Sequence, residues 1–201
     1  STVYGIPRRE PLTESEPFDA VCWYDLGKVC NEYQLRLTPK LESRVAAISL
    51  RPALIYGAGE RRHHRQWLDY VHTHCRLGHN FVFNSEEGLE SYGCSFIGDE
   101  DFARAVAECL AVKQAGALAF NIAGAFCTWR ELIETINRLA GTNAGLVVRA
   151  GTELAATECR LPQSKTLLDT TSFTSLTGFV PQQTLEELVQ RFVEAERSAK
   201  Q

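Results

Sequence analysis

Hydrophobic positions along the chain change period repeatedly, and the changes divide it into elements. Residues 1–18 show no sustained period; Gly5, Pro7, Pro11 and Pro17 punctuate an extended, turn-rich stretch. Over 19–37, Val21, Tyr24, Lys28, Cys30 and Leu35 fall close to helical spacing. This predicts a helix with Asp19 as its N-cap, ended by Pro39. The run Val45–Leu50 is short, apolar and rich in β-formers, as expected of a buried, parallel strand; Arg51-Pro52 closes it, and Gly57 and Gly59 mark a loop.

The same alternation continues to the C-terminus. A helix is predicted over 62–76, stopped near Gly78, then a short strand at 81–83 and an extended piece at 92–97. Residues 99–112 read as a helix with acidic residues in its first turn, where the helix dipole favours them, and 117–122 as a strand. Thr128-Trp129-Arg130-Glu131 is a capping box opening a helix to Leu139, ended by Gly141. A strand at 146–148 follows, and Thr184-Leu185-Glu186-Glu187 opens a terminal amphipathic helix. Strands alternating with helices predict an α/β protein with some parallel pairing. Only two or three strands are candidates for the main sheet, and the opening Ser1-Thr2-Val3-Tyr4-Gly5 reads as the tail of a strand.

Composition narrows the function classes. The chain has 201 residues, 44% hydrophobic and 23% charged, enough to bury a core without disulfides. Its net charge of -4 supplies no basic field for nucleic acid. The one dense basic cluster, residues 61–65, reads as a solvated loop entering a helix, with contact to an anionic substrate as the sharper alternative. Seven cysteines occur without CxxC or metal-ligand spacing, as expected of small buried hydrophobes in a reducing, cytoplasmic compartment. His72 and His74 would point to different faces of a helix, so no metal site is expected. No apolar run has the length of a membrane span, and no membrane partner is expected.

The sharpest chemical feature is Tyr24-Asp25-Leu26-Gly27-Lys28. At a spacing of four, both side chains share one helix face. An ammonium beside a phenol favours the phenolate, so such a tyrosine can exchange a proton with an alcohol or carbonyl near neutral pH. Positioned acid/base catalysis is worth about 10²–10⁴ in rate. Taken alone, the pair also reads as two solvated side chains that happen to lie one turn apart.

The order of motifs around the pair is more specific. Val3-Tyr4-Gly5 is followed by Pro11-Leu12-Thr13-Glu14, by Tyr24xxxLys28, and by the run from Leu50-Arg51-Pro52 through Ala53-Leu54-Ile55-Tyr56-Gly57. Ser95-Phe96-Ile97 leads into Asp99–Ala105; Phe120–Gly124 precedes Thr128–Leu132; Leu176–Pro181 precedes Thr184–Glu187. Together these resemble, over essentially the whole chain, the extended short-chain dehydrogenase/reductase family of NAD-dependent epimerases and dehydratases.

The resemblance implies the C-terminal part of a Rossmann-like doubly wound parallel sheet plus a small α/β substrate-binding domain. Residues 1–58 would belong to the cofactor domain and carry the catalytic helix. Residues 59–201 would be mainly substrate-binding, with 99–124 returning to the Rossmann-like sheet. Tyr24 would be the acid/base; Lys28 would hold the nicotinamide ribose of NAD or NADP, with Ala53 also at the cofactor. Thr2 and Leu54 would face the substrate, a small molecule with a hydroxyl or carbonyl group, nucleotide sugars included. The helix of Tyr24 is the family's usual dimer helix, which implies a homodimer.

Departures from the family pattern sharpen these expectations. The family's serine or threonine falls one position before Ser1, and the glycine-rich dinucleotide loop has no counterpart. A fragment is therefore expected, lacking roughly a hundred residues or more upstream and, on its own, inactive and unable to bind NAD. Ser1-Thr2 replaces the carboxylate pairs of dehydrating relatives, so epimerisation or carbonyl reduction fits better. Leu54 stands where sugar-nucleotide enzymes place asparagine, either as simple strand-end packing or as a site for a more apolar substrate. A non-catalytic cofactor-binding or sensor relative, or an inactive substrate-domain remnant, remains the alternative.

Overall fold

In the computed structural model, residues 2–7, 9–42, 44–57 and 66–198 are described, apart from the side chains of Thr2 and Gln66. A 3-10 turn at Thr2–Tyr4 precedes α1 (Trp23–Leu41), β1 (Ala46–Pro52), β2 (Leu54–Tyr56) and α2 (Gln66–Arg76). Next come β3 (Asn80–Phe83), α3 (Glu86–Ser91), β4 (Gly93–Gly98), α4 (Asp99–Leu110) and β5 (Gly116–Ile122). The chain continues with β6 (Phe126–Thr128), α5 (Trp129–Ala140), β7 (Gly145–Val148), β8 (Glu158–Cys159), β9 (Lys165–Thr166), α6 (Thr171–Thr177) and α7 (Leu185–Ser198).

The chain divides into two compact units. The first comprises Ser1–Ile55, Ser95–Gly124 and Thr166–Gln182; the second comprises Tyr56–Cys94, Ala125–Lys165 and Gln183–Gln201. The segment 95–124 thus lies with the N-terminal elements, and so does 166–182.

In the first unit, β1 and β5 pair in parallel, from Ala46 opposite Gly116 to Pro52 opposite Ile122. The two-residue period sorts their side chains by size. Ile48, Leu50, Leu118, Phe120 and Ile122 pack on one face with Phe102 and Ala105 of α4 and Phe173 of α6. The other face carries Ala47, Ser49, Ala117 and Ala119, which with Glu32, Leu35 and Arg36 of α1 line a cavity of about 230 Å³. Small side chains there let α1 approach the sheet, and helices cover both faces, as a parallel sheet requires. The predicted strands at 45–50 and 117–122 are the strands observed.

The second unit is also built on parallel strands. β3 lies between β7 and β8, with Asn80 opposite Gly145 and Glu158. Leu68, Val71 and Cys75 of α2, Leu132, Ile133 and Ile136 of α5, and Leu188, Val189 and Phe192 of α7 are all buried. Both capping boxes form as their spacing predicts. The Glu131 N–H donates to Thr128 Oγ1 at 3.1 Å, and the Thr128 N–H donates to Glu131 Oε2 at 2.8 Å. At Thr184 the two bonds are 3.3 and 2.8 Å. Gly141 ends α5 at φ 71°, a left-handed conformation that glycine adopts without steric penalty.

Three local expectations are corrected. The first helix begins at Trp23, not Asp19, with Cys22 as an N-cap that makes no side-chain bond. The Asp19 N–H instead donates to the Val3 carbonyl at 3.0 Å, which holds Asp19 in the preceding loop. The same helix runs through Pro39 to Leu41 and closes with the Glu42 N–H on the Thr38 carbonyl, 2.9 Å. Proline in a last turn removes one bond near an end that frays anyway, so it does not force the stop. Two short helices, α3 and α6, arise where no helix was predicted. Ser85 caps the first through the Gly88 N–H at 3.0 Å. The second, TSFTSLT, is built of residues with low helix propensity and is anchored by buried Phe173. The predicted helix residues 62–65, with the basic cluster 61–65, lie outside the described residues.

Candidate functional site

Tyr24 and Lys28 stand one turn apart on the exposed side of α1, as predicted for a shared helix face. The Lys28 Nζ lies over the Tyr24 ring, 5.2 Å from its centroid, and Tyr24 is 63% exposed. The neighbouring stripe of the same helix, Asp25, Val29 and Glu32, is buried. This stripe holds two carboxylates and one apolar side chain, an unusual inner face for a helix. The Asp25 carboxylate accepts the Val21 N–H at 3.2 Å, which ties the chain just before the helix to its first turn.

The other predicted site residues occupy different surroundings. Ala53 is buried in a cluster with Val3, Tyr4, Leu12, Val29, Ala123 and Leu168, and its N–H donates to the Ile122 carbonyl at 2.8 Å. Leu54 is half-buried at the start of β2. The backbone of Thr2 opens the 3-10 turn, while its side chain lies outside the described residues. Among the described residues, no side-chain hydrogen bond or ring contact joins Tyr24 or Lys28 to Ala53 or Leu54. The structure therefore brings together the Tyr24–Lys28 pair, and it brings Ala53 to Val29, the residue after Lys28.

A buried polar network anchors these segments. Arg51, 1% exposed and next to last in β1, donates through Nε and Nη2 to both Glu32 oxygens, each at 2.7 Å. Its Nη1 donates to Tyr4 Oη at 2.8 Å and to the Glu14 carbonyl at 3.1 Å. Tyr4 Oη in turn donates to Asn121 Oδ1 at 2.5 Å. Asn121, fully buried and in register with Arg51, donates through Nδ2 to the Leu12 carbonyl (2.9 Å) and through its backbone N–H to Glu14 Oε1 (2.8 Å). The guanidinium also lies over the Tyr4 and Phe18 rings, 5.1 and 5.2 Å from their centroids. Burial works to lower the Arg51 pKa, but the hydrogen bonds and charges of Glu32 and Tyr4 outweigh it, and the net direction is up. Burial raises the Tyr4 pKa against the opposing pull of Arg51, so Tyr4 stays a neutral phenol.

One signal of this network was available. An arginine and an asparagine, each next to last in an otherwise largely apolar strand, are polar residues at positions whose pattern predicts burial. Buried polar groups demand partners.

All seven cysteines are free thiols. Burial pushes Cys75, Cys127 and Cys159 up to about 12, and Cys94 and Cys109 also upward, so they are poor nucleophiles at neutral pH. Cys22 and Cys30 are exposed. Among the described residues, no group of three histidine, cysteine or acidic side chains is placed to hold a metal. Nor is any described helix long and apolar enough to cross a membrane.

No protein-family model and no curated protein matches the sequence significantly. Solved structures do. The UDP-glucose 4-epimerase from Stenotrophomonas maltophila, with bound NAD and formylated UDP-arabinopyranose, is 18% identical with a TM-score of 0.78; the match covers 100% of this chain and 62% of that one. UDP-glucose 4-epimerase from Bifidobacterium longum, in complex with NAD+ and UDP, is 17% identical with a TM-score of 0.77 and the same coverage. RMD from Pseudomonas aeruginosa, complexed with NADPH, is 19% identical with a TM-score of 0.74, over 98% of this chain and 63% of that one. The chain thus has the Rossmann-like α/β fold of these enzymes and spans under two thirds of their length.

Proposed function

We propose that the protein works as an NAD(P)-dependent epimerase or carbonyl reductase/dehydrogenase, with Tyr24 as its acid/base. The observation that carries this reading is the Tyr24–Lys28 pair, exposed together on a helix of a fold shared with nucleotide-sugar epimerases. Its support is twofold: the spacing of the pair, and the ordered motifs from Val3 to Glu187 that resemble the same enzymes. The substrate class is a small molecule with a secondary alcohol or a ketone, nucleotide sugars included. Exposed Trp23, Leu37 and Leu41 on α1 are consistent with a homodimer through that helix.

The residues present fit a nicotinamide dinucleotide in one respect. A phenol and an ammonium, both open to solvent and one turn apart, offer two donors to the hydroxyls of a ribose. NAD(P), when bound, supplies hydride acceptance and donation. The chain's own contribution is proton handling and orientation. Tyr24 Oη takes the proton of the substrate hydroxyl as the carbonyl forms and returns it in the reverse direction. The Lys28 ammonium stabilises the phenolate that takes this proton and that is left again once the proton is returned. Ala53, at the end of the parallel strand, belongs to the cofactor side of this site, and Thr2 and Leu54 to the substrate side. The apolar Leu54 favours substrates that need no side-chain hydrogen bond at that point.

The test is turnover of UDP-sugars and simple ketones with NAD(H) and NADP(H) by the full-length protein, since this chain alone is expected to be inactive. Tyr24→Phe is expected to lower kcat by about 10²-fold or more, with a smaller change in KM. Lys28→Met is expected to raise the cofactor KM as well. Unchanged turnover in Tyr24→Phe sinks the acid/base assignment. Cofactor binding without turnover, indifferent to Tyr24→Phe, would favour the sensor reading.

A further inference from the structure

We infer that Arg51 is a positioning residue of the proposed reaction, locking the Val3–Tyr4 segment to the helix that carries Tyr24 and Lys28. This rests on the Tyr24 assignment above. Four separate bonds leave the one guanidinium: two reach α1 through Glu32, one reaches Tyr4, and one reaches the Glu14 carbonyl in the loop between them. A guanidinium has five donors in a rigid plane, so four bonds in three directions leave it little freedom.

The need for such a lock follows from the inner face of α1. Its buried stripe is Asp25, Val29 and Glu32, and only Val29 is apolar. Apolar packing is non-directional, and buried Val29 with half-buried Leu35 does not by itself fix the rotation of a nineteen-residue helix about its own axis. A bidentate carboxylate–guanidinium pair is directional and does fix it. Turning α1 by one residue would swing Tyr24 and Lys28 by about 100°, the angular step of the α-helix. The far end of the lock is equally determined. Tyr4 Oη accepts from Arg51 and gives its one proton to Asn121, whose own amide is committed to the Leu12 carbonyl. Val3 is held next to this by the Asp19 N–H, four residues before Trp23.

The experiment compares Tyr4→Phe, Glu32→Gln and Arg51→Lys with the parent protein, using Thr128→Ala as a control destabilised at a distant helix cap. Two quantities are measured below the melting temperature of every variant: kcat and KM, and amide hydrogen exchange of residues 3–19 and 23–41. Each of the three variants is expected to lower kcat at least about tenfold with KM within about threefold, since small misplacements act on the chemical step. Glu32→Gln, a change on α1, should also speed exchange in residues 3–19, and Tyr4→Phe should speed exchange in 23–41. The pair combined should cost no more than the worse single change, because both act through Arg51. Thr128→Ala should leave kcat and both segments unchanged.

Two results overturn the inference: kcat unaltered in Tyr4→Phe and Glu32→Gln, or exchange that changes only in the segment mutated. If the full-length parent protein shows no turnover, the function proposed above fails. Reciprocal exchange coupling then decides the lock by itself, and its absence refutes it. Should Glu32→Gln or Arg51→Lys not fold, Tyr4→Phe, which removes one oxygen, carries both readouts.

Discussion

Helices α1 and α5 are placed by opposite means. α5 buries Trp129, Leu132, Ile133 and Ile136, is capped at its start by a capping box, and is closed by a left-handed glycine. α1 has no side-chain cap, buries Asp25, Val29 and Glu32, and leaves Trp23 87%, Tyr24 63% and Leu41 88% exposed. The first is held by apolar contact, tolerant of small adjustments. The second is held by a few directional bonds that tolerate almost none. A helix that presents the proposed Tyr24–Lys28 pair at a fixed rotation is better served by the second arrangement. A helix that only closes a core is served by the first.

Breaking the ion pair should have the largest effect. Glu32→Ala leaves the Arg51 guanidinium buried without its counter-charge, and a cost of about 3–5 kcal/mol is expected in denaturant unfolding. Replacing both partners with leucine should recover most of that stability, because a well-packed apolar pair often equals a buried ionic one. Under the comparison drawn above, the double variant regains stability without regaining kcat. Recovery of both would show that any filling of the space sets α1 correctly.

Next comes Ile133→Ala in α5, at 0% exposure. Loss of the side chain together with the cavity it leaves should cost about 2–5 kcal/mol, read as a lower midpoint with an unchanged denaturant slope. Turnover below the transition should stay at the parent level, in contrast to every change at Arg51.

The same contrast explains what the sequence disclosed. α5 was readable to within one residue at its end because hydrophobic period, capping box and terminal glycine all agree locally. α1 was readable as a helix but not in its limits. Asp19 has the chemistry of an N-cap, yet its N–H is taken by Val3, a contact sixteen residues away that no local rule reports. The placement of Tyr24 and Lys28 on one helix face was legible through their spacing. Arg51, Glu32, Tyr4 and Asn121 were not, because their meaning lies in pairings across 19, 47 and 117 residues. Period alone marks such residues as misplaced polar groups; only the fold shows that they satisfy one another.

A smaller effect tests the cap itself. Thr128→Ala removes the acceptor for the Glu131 N–H and half of the capping box, at a cost of about 1 kcal/mol. The corresponding change at α1, Cys22→Ala, should be silent, since Cys22 makes no capping bond. Thermal unfolding of the two variants side by side measures the difference, and a larger loss at Cys22 would contradict the account of how α1 begins.

The smallest expected effect concerns pH, and it lies in the unit whose core is mostly apolar. His74, in the last turn of α2, shares a hydrogen bond with His79, Nδ1 to Nδ1 at 2.8 Å, so one ring donates and the other accepts. Burial, then the neighbouring His79, lowers the His74 pKa from its ordinary value. The folded state therefore binds this proton less readily than the unfolded chain. As pH falls below about 6.5, the unfolded state gains the proton first and stability declines. The decline ends once pH passes below the lowered folded value, where both states are protonated. Above about 6.5 neither state carries the charge, and the stability is fully present. His74→Gln should flatten the slope of unfolding free energy against pH across that window while leaving the neutral-pH value nearly unchanged. Neither Arg51 nor Tyr4 should contribute slope there, because the guanidinium and the phenol titrate far above it. A slope that survives His74→Gln but vanishes in Tyr4→Phe would reverse the comparison and place the pH-sensitive contact at α1.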